Sequence, residues 1–490
     1  MAGPGTTALV QKPHSSTGSK VPVITNYTPM IGYMVHNDDI SRLFYFRLIM
    51  EVRLDDASGT LIAKIKQRRN GYGPDIDDQE ARAFFDLRGV INSQLVDTVF
   101  DQNDTGVPFE TIHKLGKNNP VTPFSVNGDN RTDETQMQTI YIKAFVQYSE
   151  SASAMPSEDT SGDVTVNNTK IYMAASLPLM TPRSTDANYI QGNEFQPYQA
   201  SSPNDLFLSD VESSSGDYGI TGYINYVQED DYHTVAFLND YANFESDLDY
   251  IEITYYNSSN AVINSAHTIA NISANGGWPP TTSTGMTDAK RLLYFGCGPG
   301  NLEGQSDNTS ARPSNNSGWA YYIIRGTGSS GAGDLATNTY YFIKQDASCK
   351  GFKVRRLAWR NSLGCYDYFN FKKKSTQKVE VTRNNYNSLI GRFNASRWYY
   401  NNTMRGKTTR QVTAVLKETL NTDWITEEDG RLLEKLIMST DVYIVENADT
   451  EFTQGVMITD SSFTRKTRAN DKMMQYTIQI EYANNLNTNS

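Results

Sequence analysis

Alternation of apolar and polar residues recurs along most of the chain. Phe44, Phe46, Leu48, Met50, Val52 and Leu54 alternate with Tyr45, Arg47, Ile49, Glu51 and Arg53, the period of two that marks a long half-buried strand. Leu61 to Gln67 gives a short strand after the turn 55–59, and 84–100 reads as a strand followed by a short helix. Ile140, Ile142, Ala144, Val146 and Tyr148 alternate again. These elements predict an N-terminal β domain over 21–180, a sandwich or barrel with a polar loop at 149–162. Residues 1–20, rich in Gly, Ser, Thr and Pro, read as an arm, and the polar, Pro-containing 181–205 as a linker. Beyond it, Ile251, Ile253 and Tyr255 alternate with Glu252, Thr254 and Tyr256. The turn Asn257-Ser258-Ser259-Asn260 then predicts a hairpin into Ala261–Ile263. Arg291–Phe295, Trp319–Ile324 and Tyr340–Lys344 complete a middle β-sandwich domain over 206–345.

The last region, 346–490, carries the clearest helical period. Thr426 followed by Asp429 forms a short-acid capping box, and Glu427, Glu428 and Asp429 place negative charge on a first helical turn. Leu432, Leu433, Leu436 and Ile437 fall on one face, which must pack on an apolar surface. Val412, Ala414 and Leu416 before it, Val442–Val445 after it, and Tyr476, Ile478, Ile480 and Tyr482 supply strands for that surface. The predicted fold class is therefore mainly β and multidomain, ending in a sandwich with one flanking helix.

Composition agrees with this pattern and excludes several classes. Of 490 residues, 38% are apolar, and Tyr (30) outnumbers Phe (20), as suits half-buried sheet faces and protein contacts. No stretch approaches the ~18–20 apolar residues of a membrane span. Residues 1–8 lack the basic and apolar regions of a secretory signal. Three cysteines are too few and too scattered for a disulfide framework, which points to assembly in a reducing cytoplasm. The five histidines lie at no metal-ligand spacing.

Gly326, Gly328 and Gly331 satisfy G-x-G-x-x-G, but no helix start follows, so a hairpin loop is the better reading. Gly296-Cys297-Gly298-Pro299-Gly300 reads as a turn for the same reason. Glu229-Asp230-Asp231 lacks the donor spacing of a calcium loop. The 55 acidic residues allow many carboxylate pairs, yet no catalytic motif appears. The chain is therefore read as a non-enzyme without cofactor.

Charge is the informative feature. From Lys350 to Arg410 there are 15 Lys/Arg and two acids, a surplus of 13 in a chain whose net charge is −11. Lys353, Arg355, Arg356, Arg360, Lys372, Lys373 and Lys374 lie among Trp359, Tyr366, Tyr368, Trp398 and Tyr399. Such a mixture fits single-stranded nucleic acid, a solvated face, or contact with an acidic neighbouring copy. The acidic chain as a whole favours the subunit interface.

The stretch Phe352–Phe371 resembles a motif of virion structural proteins of tailed phages that infect Bacteroidetes-type and aquatic bacteria. There a strand (here with Trp359) ends in an N-x-L-G turn before an aromatic-rich strand, carried here by Asn361, Leu363, Gly364, Tyr366, Tyr368 and Phe369. The same family is similar at D-W-I-T-E-E (423–428), V-Y-I-V-E (442–446), I-T-D-S-S-F (458–463) and N-D-K-M-M-Q-Y-T-I-Q-I-E-Y (470–482). The resemblance covers 345–485. Residues 21–345 match in order and texture only. It implies a tail-tube-like C-terminal domain in a ring or hub subunit of the tail or neck of crAss-like or similar phages. Such a subunit is assembled in the bacterial cytoplasm and kept in the virion. Its implied partners are copies of itself, other tail or neck proteins and, in passing, genomic DNA. The competing readings are an adsorption protein whose Tyr/Trp-rich middle domain grips host-surface glycans, and a β-rich glycan hydrolase.

Overall fold

The computed structural model describes residues 7–11, 23–26, 31–36, 43–54, 57–68, 81–94, 137–165, 170–176, 207–238, 250–270, 292–304, 308–327, 337–345, 352–445, 454–460, 462, 464, 474–484 and 487–489. The protein is mainly β, built from several sheets. Where the sequence pattern draws three folded domains, the chain packs as two compact units. The first comprises Met1–Asp210, Asp231–Phe342 and Asn361–Tyr366; the second comprises Val211–Asp230, Ile343–Arg360 and Asp367–Ser490. Among the described residues no helix is long and apolar enough to cross a membrane.

In the first unit, one sheet follows the order β2 (Val23–Asn26), β9 (Lys170–Ser176), β7 (Met137–Ser149), β4 (Phe44–Leu54), β5 (Leu61–Gln67). β8 (Ser157–Thr165) also pairs with β7, so much of the expected 149–162 loop is strand. β1 (Thr7–Gln11), β3 (Ile31–His36) and β6 (Ala81–Asp86) form a second, antiparallel sheet, with α1 (Arg88–Asn92) after β6. The expected arm thus contains a paired strand. The rest of it, and the 181–205 linker, lie outside the described residues. Leu48, Met50, Val52, Phe85, Ile91 and Ile142 share one core. β4 is not half-buried as its alternation predicts, because Leu48 to Val52 are all buried. On its second face Glu51 is covered by ion pairs with Arg53 (2.5 Å) and Lys64 (3.4 Å), whose alkyl stems shield it.

The same unit contains the pair β12 (Thr234–Leu238) and β15 (Leu292–Gly296), and the antiparallel trio β14 (His267–Ala270), β13 (Tyr250–Tyr256), β16 (Tyr321–Thr327). Ala261–Ile263 forms only a bridge, Tyr256 to Val262, and the second strand of this hairpin starts at His267. The stretch 296–300 is more than a turn. Pro299 opens the short helix α2 (Pro299–Glu303), since a proline at the first helical position forfeits no hydrogen bond. Tyr322 packs against Tyr255, Trp319 and Phe342 at 5.1–5.5 Å between ring centres, and the Tyr255 and Tyr322 hydroxyls donate to the Ala311 and Cys297 carbonyls at 2.7 Å. β17 (Tyr340–Lys344) carries the chain out of this unit.

In the second unit, β10 (Ser213–Ser215) and β11 (Thr221–Val227) pair antiparallel. The main sheet has the order β19 (Tyr366–Phe371), β18 (Arg355–Arg360), β24 (Val442–Val445), β25 (Gln454–Ile458), β26 (Thr477–Tyr482), β23 (Lys407–Asn421), β20 (Thr376–Asn387). β27 (Asn487–Asn489) also pairs with β23. The expected helix is α3 (Glu427–Met438), with both halves of the capping box formed. Leu432, Leu433 and Leu436 are buried against Leu357, Trp359, Leu420, Val442, Ile478 and Ile480, with Ile437 half-buried at the margin. Gly430 is there for close approach, because a Cβ would stand 3.3 Å from the Tyr476 ring.

Replacing Leu436 by Ala should cost about 2–5 kcal/mol through the cavity it leaves. Thr426→Ala should cost about 0.5–2 kcal/mol through the lost cap. Urea unfolding followed by far-UV circular dichroism measures both.

Candidate functional site

The N-x-L-G segment is a tight structural turn. Asn361 Oδ1 accepts from the Leu363 and Cys365 amides at 3.1 and 2.9 Å, and its Nδ2 donates to the Leu208 carbonyl at 2.9 Å. Ser362 donates from its amide and hydroxyl to the Asp210 carboxylate at 2.7 and 2.6 Å. Gly364 has φ +83°, a conformation that a side chain disfavours. Trp359, Leu363, Tyr366 and Tyr368 are buried and Phe369 is half-buried. These aromatics belong to the packing.

The structure divides the basic cluster instead of gathering it into one surface. Arg356 is buried, donating to Asn370 Oδ1 at 2.8 Å with its guanidinium 5.0 Å from the Tyr368 ring centre. Arg360 is also buried. Arg355 pairs with Glu418 at 2.9 Å, and Glu418 accepts further bonds from Gln377 (3.1 Å) and the Tyr482 hydroxyl (2.7 Å). Lys373 pairs with Asp423 at 3.0 Å, Lys372 is half-buried, and only Lys353 and Lys374 are exposed. The segment 352–360 looks like a basic surface in sequence because its acidic partner Glu418 lies about sixty positions away.

The exposed positive charge sits further on, in a ribbon of which the sequence pattern assigned only the stretch around Val412, Ala414 and Leu416 to a strand. β20 and β23 pair from Thr376↔Thr419 to Asn387↔Lys407, with an irregularity at Asn384/Asn385. β26 pairs with β23 only over Lys417–Asn421 and β27 only over Val412–Ala414. β20 ends the sheet, and among the described residues its other edge is unpaired. β20 is exposed along nearly its whole length, about 40 Å at a strand's rise per residue. A ribbon therefore leaves the sheet, solvated on both faces. At its tip β21 (Arg392–Asn394) and β22 (Arg397–Tyr399) make a small hairpin, held by the Trp398 indole N–H donating to the Ile390 carbonyl at 3.0 Å. Leu389, Phe393 and Tyr400 at this tip are 80%, 68% and 73% exposed, and Val379, Val381, Tyr386, Ile390 and Trp398 are exposed as well.

Residues 376–410 carry seven Lys/Arg and one acid, a net +6 that leaves −17 on the rest of the chain. The acid, Glu380, bonds Lys378 (2.7 Å) and Lys417 (2.9 Å), which hold its carboxyl down to about 2. The ribbon was legible in sequence only as β-forming residues without an apolar stripe, a pattern that a search for buried faces passes over. Among the described residues no cluster of His, Cys, Asp and Glu could hold a metal, and Glu229 instead pairs with Lys344. Gly328 and Gly331 lie outside the described residues.

No protein-family model matches the chain, and no curated protein matches it.

Burial pushes the Glu418 carboxyl up, but the hydrogen bonds from Tyr482, Ser375, Gln377 and Arg355 outweigh it and leave the group below its ordinary value. A carboxyl depressed on folding stabilises above its unfolded pKa and loses that contribution as pH falls through the folded one. Wild type should therefore lose melting temperature more steeply than Glu418→Gln between neutral pH and acid. Arg355→Met, which leaves the carboxylate buried without its cation, should cost about 3–5 kcal/mol at neutral pH. Calorimetric scans across pH read both.

Proposed function

We propose that this protein is a structural subunit of a tailed-phage virion, building a ring or hub of the tail or neck around the DNA-exit channel. In this reading copies of the chain join to one another and to other virion proteins. The observation that carries it is the ribbon β20–β23. An isolated two-stranded hairpin is marginal in water, and a long unpaired edge flanked by exposed apolar residues is a template for another chain. This ribbon exposes Leu389, Ile390, Phe393, Trp398 and Tyr400 at its tip. Its cationic charge complements the acidic remainder of the same sequence, so the partner with the matching surface is a second copy. A head-to-tail contact of that kind closes into a ring when its rotation allows. The resemblance of 345–485 to phage virion proteins adds the biological setting.

The glycan-gripping alternative draws no support from the middle of the chain. The described aromatic side chains of 206–345 are buried or half-buried, led by Tyr255, Trp319, Tyr322 and Tyr340, with the exception of Tyr218 at 38% exposure.

Arg383 and Val412 are register partners, so 384–411 can be replaced by an Asn-Gly turn that rejoins the shortened strands. The full chain at high concentration should form closed annuli in negative-stain images and a matching oligomer by light scattering. The shortened chain should keep its circular dichroism spectrum and stay monomeric. A full chain that remains monomeric at every concentration, or a shortened chain that assembles equally well, refutes the proposal.

A further inference from the structure

Residues 381–417, most of the β20–β23 ribbon, contain no Asp or Glu. Within that run Arg383, Arg397, Arg405, Lys407 and Arg410 are exposed, and none of their side chains has a hydrogen bond or ion pair among the described residues. By contrast Arg355 is taken by Glu418, Lys373 by Asp423, and Arg431 by Glu212 and Glu427. We propose that the ribbon binds double-stranded nucleic acid, lying along the major groove with these cations on the flanking phosphates.

Three observations lead to that partner. The first is shape. Arg383–Asn387 of β20 faces 407–412 of β23, and over 407–411 no third strand lies beside the pair among the described residues. The result is a two-stranded ribbon open on both faces and both edges. Its strands lie about 4.8 Å apart, and the major groove of B-DNA, about 12 Å wide, admits a ribbon of two strands.

The second is chemistry. Four of these cations are arginines, whose planar fork matches the oxygens of a phosphate. They are spread over β20, the tip hairpin and β23 instead of gathering at one point. That spread suits a partner whose charge repeats along a line, as a duplex does about every 1.7 Å of its axis.

The third is distance from acid. Outside 376–410 the chain carries −17 and repels a duplex. From Arg383 to Asn387 the strand runs about 17 Å, roughly two Debye lengths at physiological ionic strength. The repulsion from the sheet is therefore largely screened at the tip, and the overall acidity of the chain does not bar this contact.

This inference stands apart from the ring. A second copy draws on the same cations, but phosphates have no use for the exposed Leu389 and Phe393, so the two readings fail separately. The full chain would be titrated against a labelled mixed-sequence DNA duplex and read by fluorescence anisotropy, with single-stranded DNA and polyglutamate as competitors. The duplex should bind saturably, and log K should fall with log salt at a slope of about −4.5, about 0.9 for each named cation. Arg383→Gln and Arg405→Gln should each reduce that slope by about 1 with an unchanged circular dichroism spectrum. Leu389→Ser with Phe393→Ser should leave duplex affinity unchanged whatever it does to assembly. The chain shortened at 384–411 should not bind. The proposal is overturned if the duplex does not bind saturably, if the shortened chain or both arginine variants bind as wild type does, or if removing the two apolar residues abolishes binding. It is equally overturned if single-stranded DNA binds more tightly than the duplex, or if polyglutamate displaces the duplex as well as unlabelled duplex does.

Discussion

A strand can be core at one end and free arm at the other only if its inner end is held, and β23 depends on that constraint. Leu420 is fully buried in the cluster that Leu432, Leu433 and Leu436 of α3 complete, and Ala414 is buried as well. From Lys407 to Gln411 the same strand has β20 as its only partner among the described residues. The helix therefore does more than cover a sheet. By burying the inner half of β23 it anchors a projection that could not fold alone.

Glu418 stands within the anchored inner half, beside Leu420, and its surroundings act on register. Its carboxylate is bound by Arg355 on β18, Gln377 on β20 and Tyr482 on β26. A slip of one residue of β20 against β23 would turn the side chains of β20 to the opposite face and take Gln377 away from this carboxylate, while Arg355 and Tyr482 hold β23 where it is. Burying the pair is a poor route to stability as such, since desolvation offsets much of the attraction. Its stronger consequence is to make one pairing of a nearly featureless, solvent-exposed ribbon preferable to its neighbours. The irregularity at Asn384/Asn385 lies beyond this clamp, where a change of twist re-aims the tip without disturbing the core.

What could be read from the sequence was what local periodicity encodes. The Thr426–Asp429 cap and the leucine face of α3 involve residues a few positions apart, and the strands around Leu48, Ile142, Ile253 and Ile478 repeat at two. Features set by distant partners were not readable. Arg355 and Arg356 count as surface charge until Glu418, Asn370 and Tyr368 are placed beside them. Ile49 and Glu51 read as a solvated face until β5 and β8 bring Lys64 and Glu158 over the sheet. Beyond the stretch around Val412, Ala414 and Leu416, the ribbon was missed for the opposite reason. Its valines and aromatics face solvent, so they carry no buried face for periodicity to detect.

The charge on the ribbon bears on how such an edge is kept from indiscriminate pairing. Exposed strands are commonly protected by lysines, bulges and twist, and β20–β23 carries Lys378, Arg383, Lys407 and Arg410 on its strands together with its irregularity. Two ribbons of like sign repel when they approach each other, which disfavours an edge-to-edge dimer. An approach to the acidic remainder of another copy is attractive, so the same charges disfavour one geometry and favour a different one. On the reading proposed above, that asymmetry selects a head-to-tail contact over a two-fold one, and head-to-tail contacts are those from which rings are made. Salt at well above physiological strength would screen both effects for solvated charges, leaving the exposed Leu389, Phe393 and Tyr400 to act alone. Assembly would then lose its preferred geometry before losing its driving force.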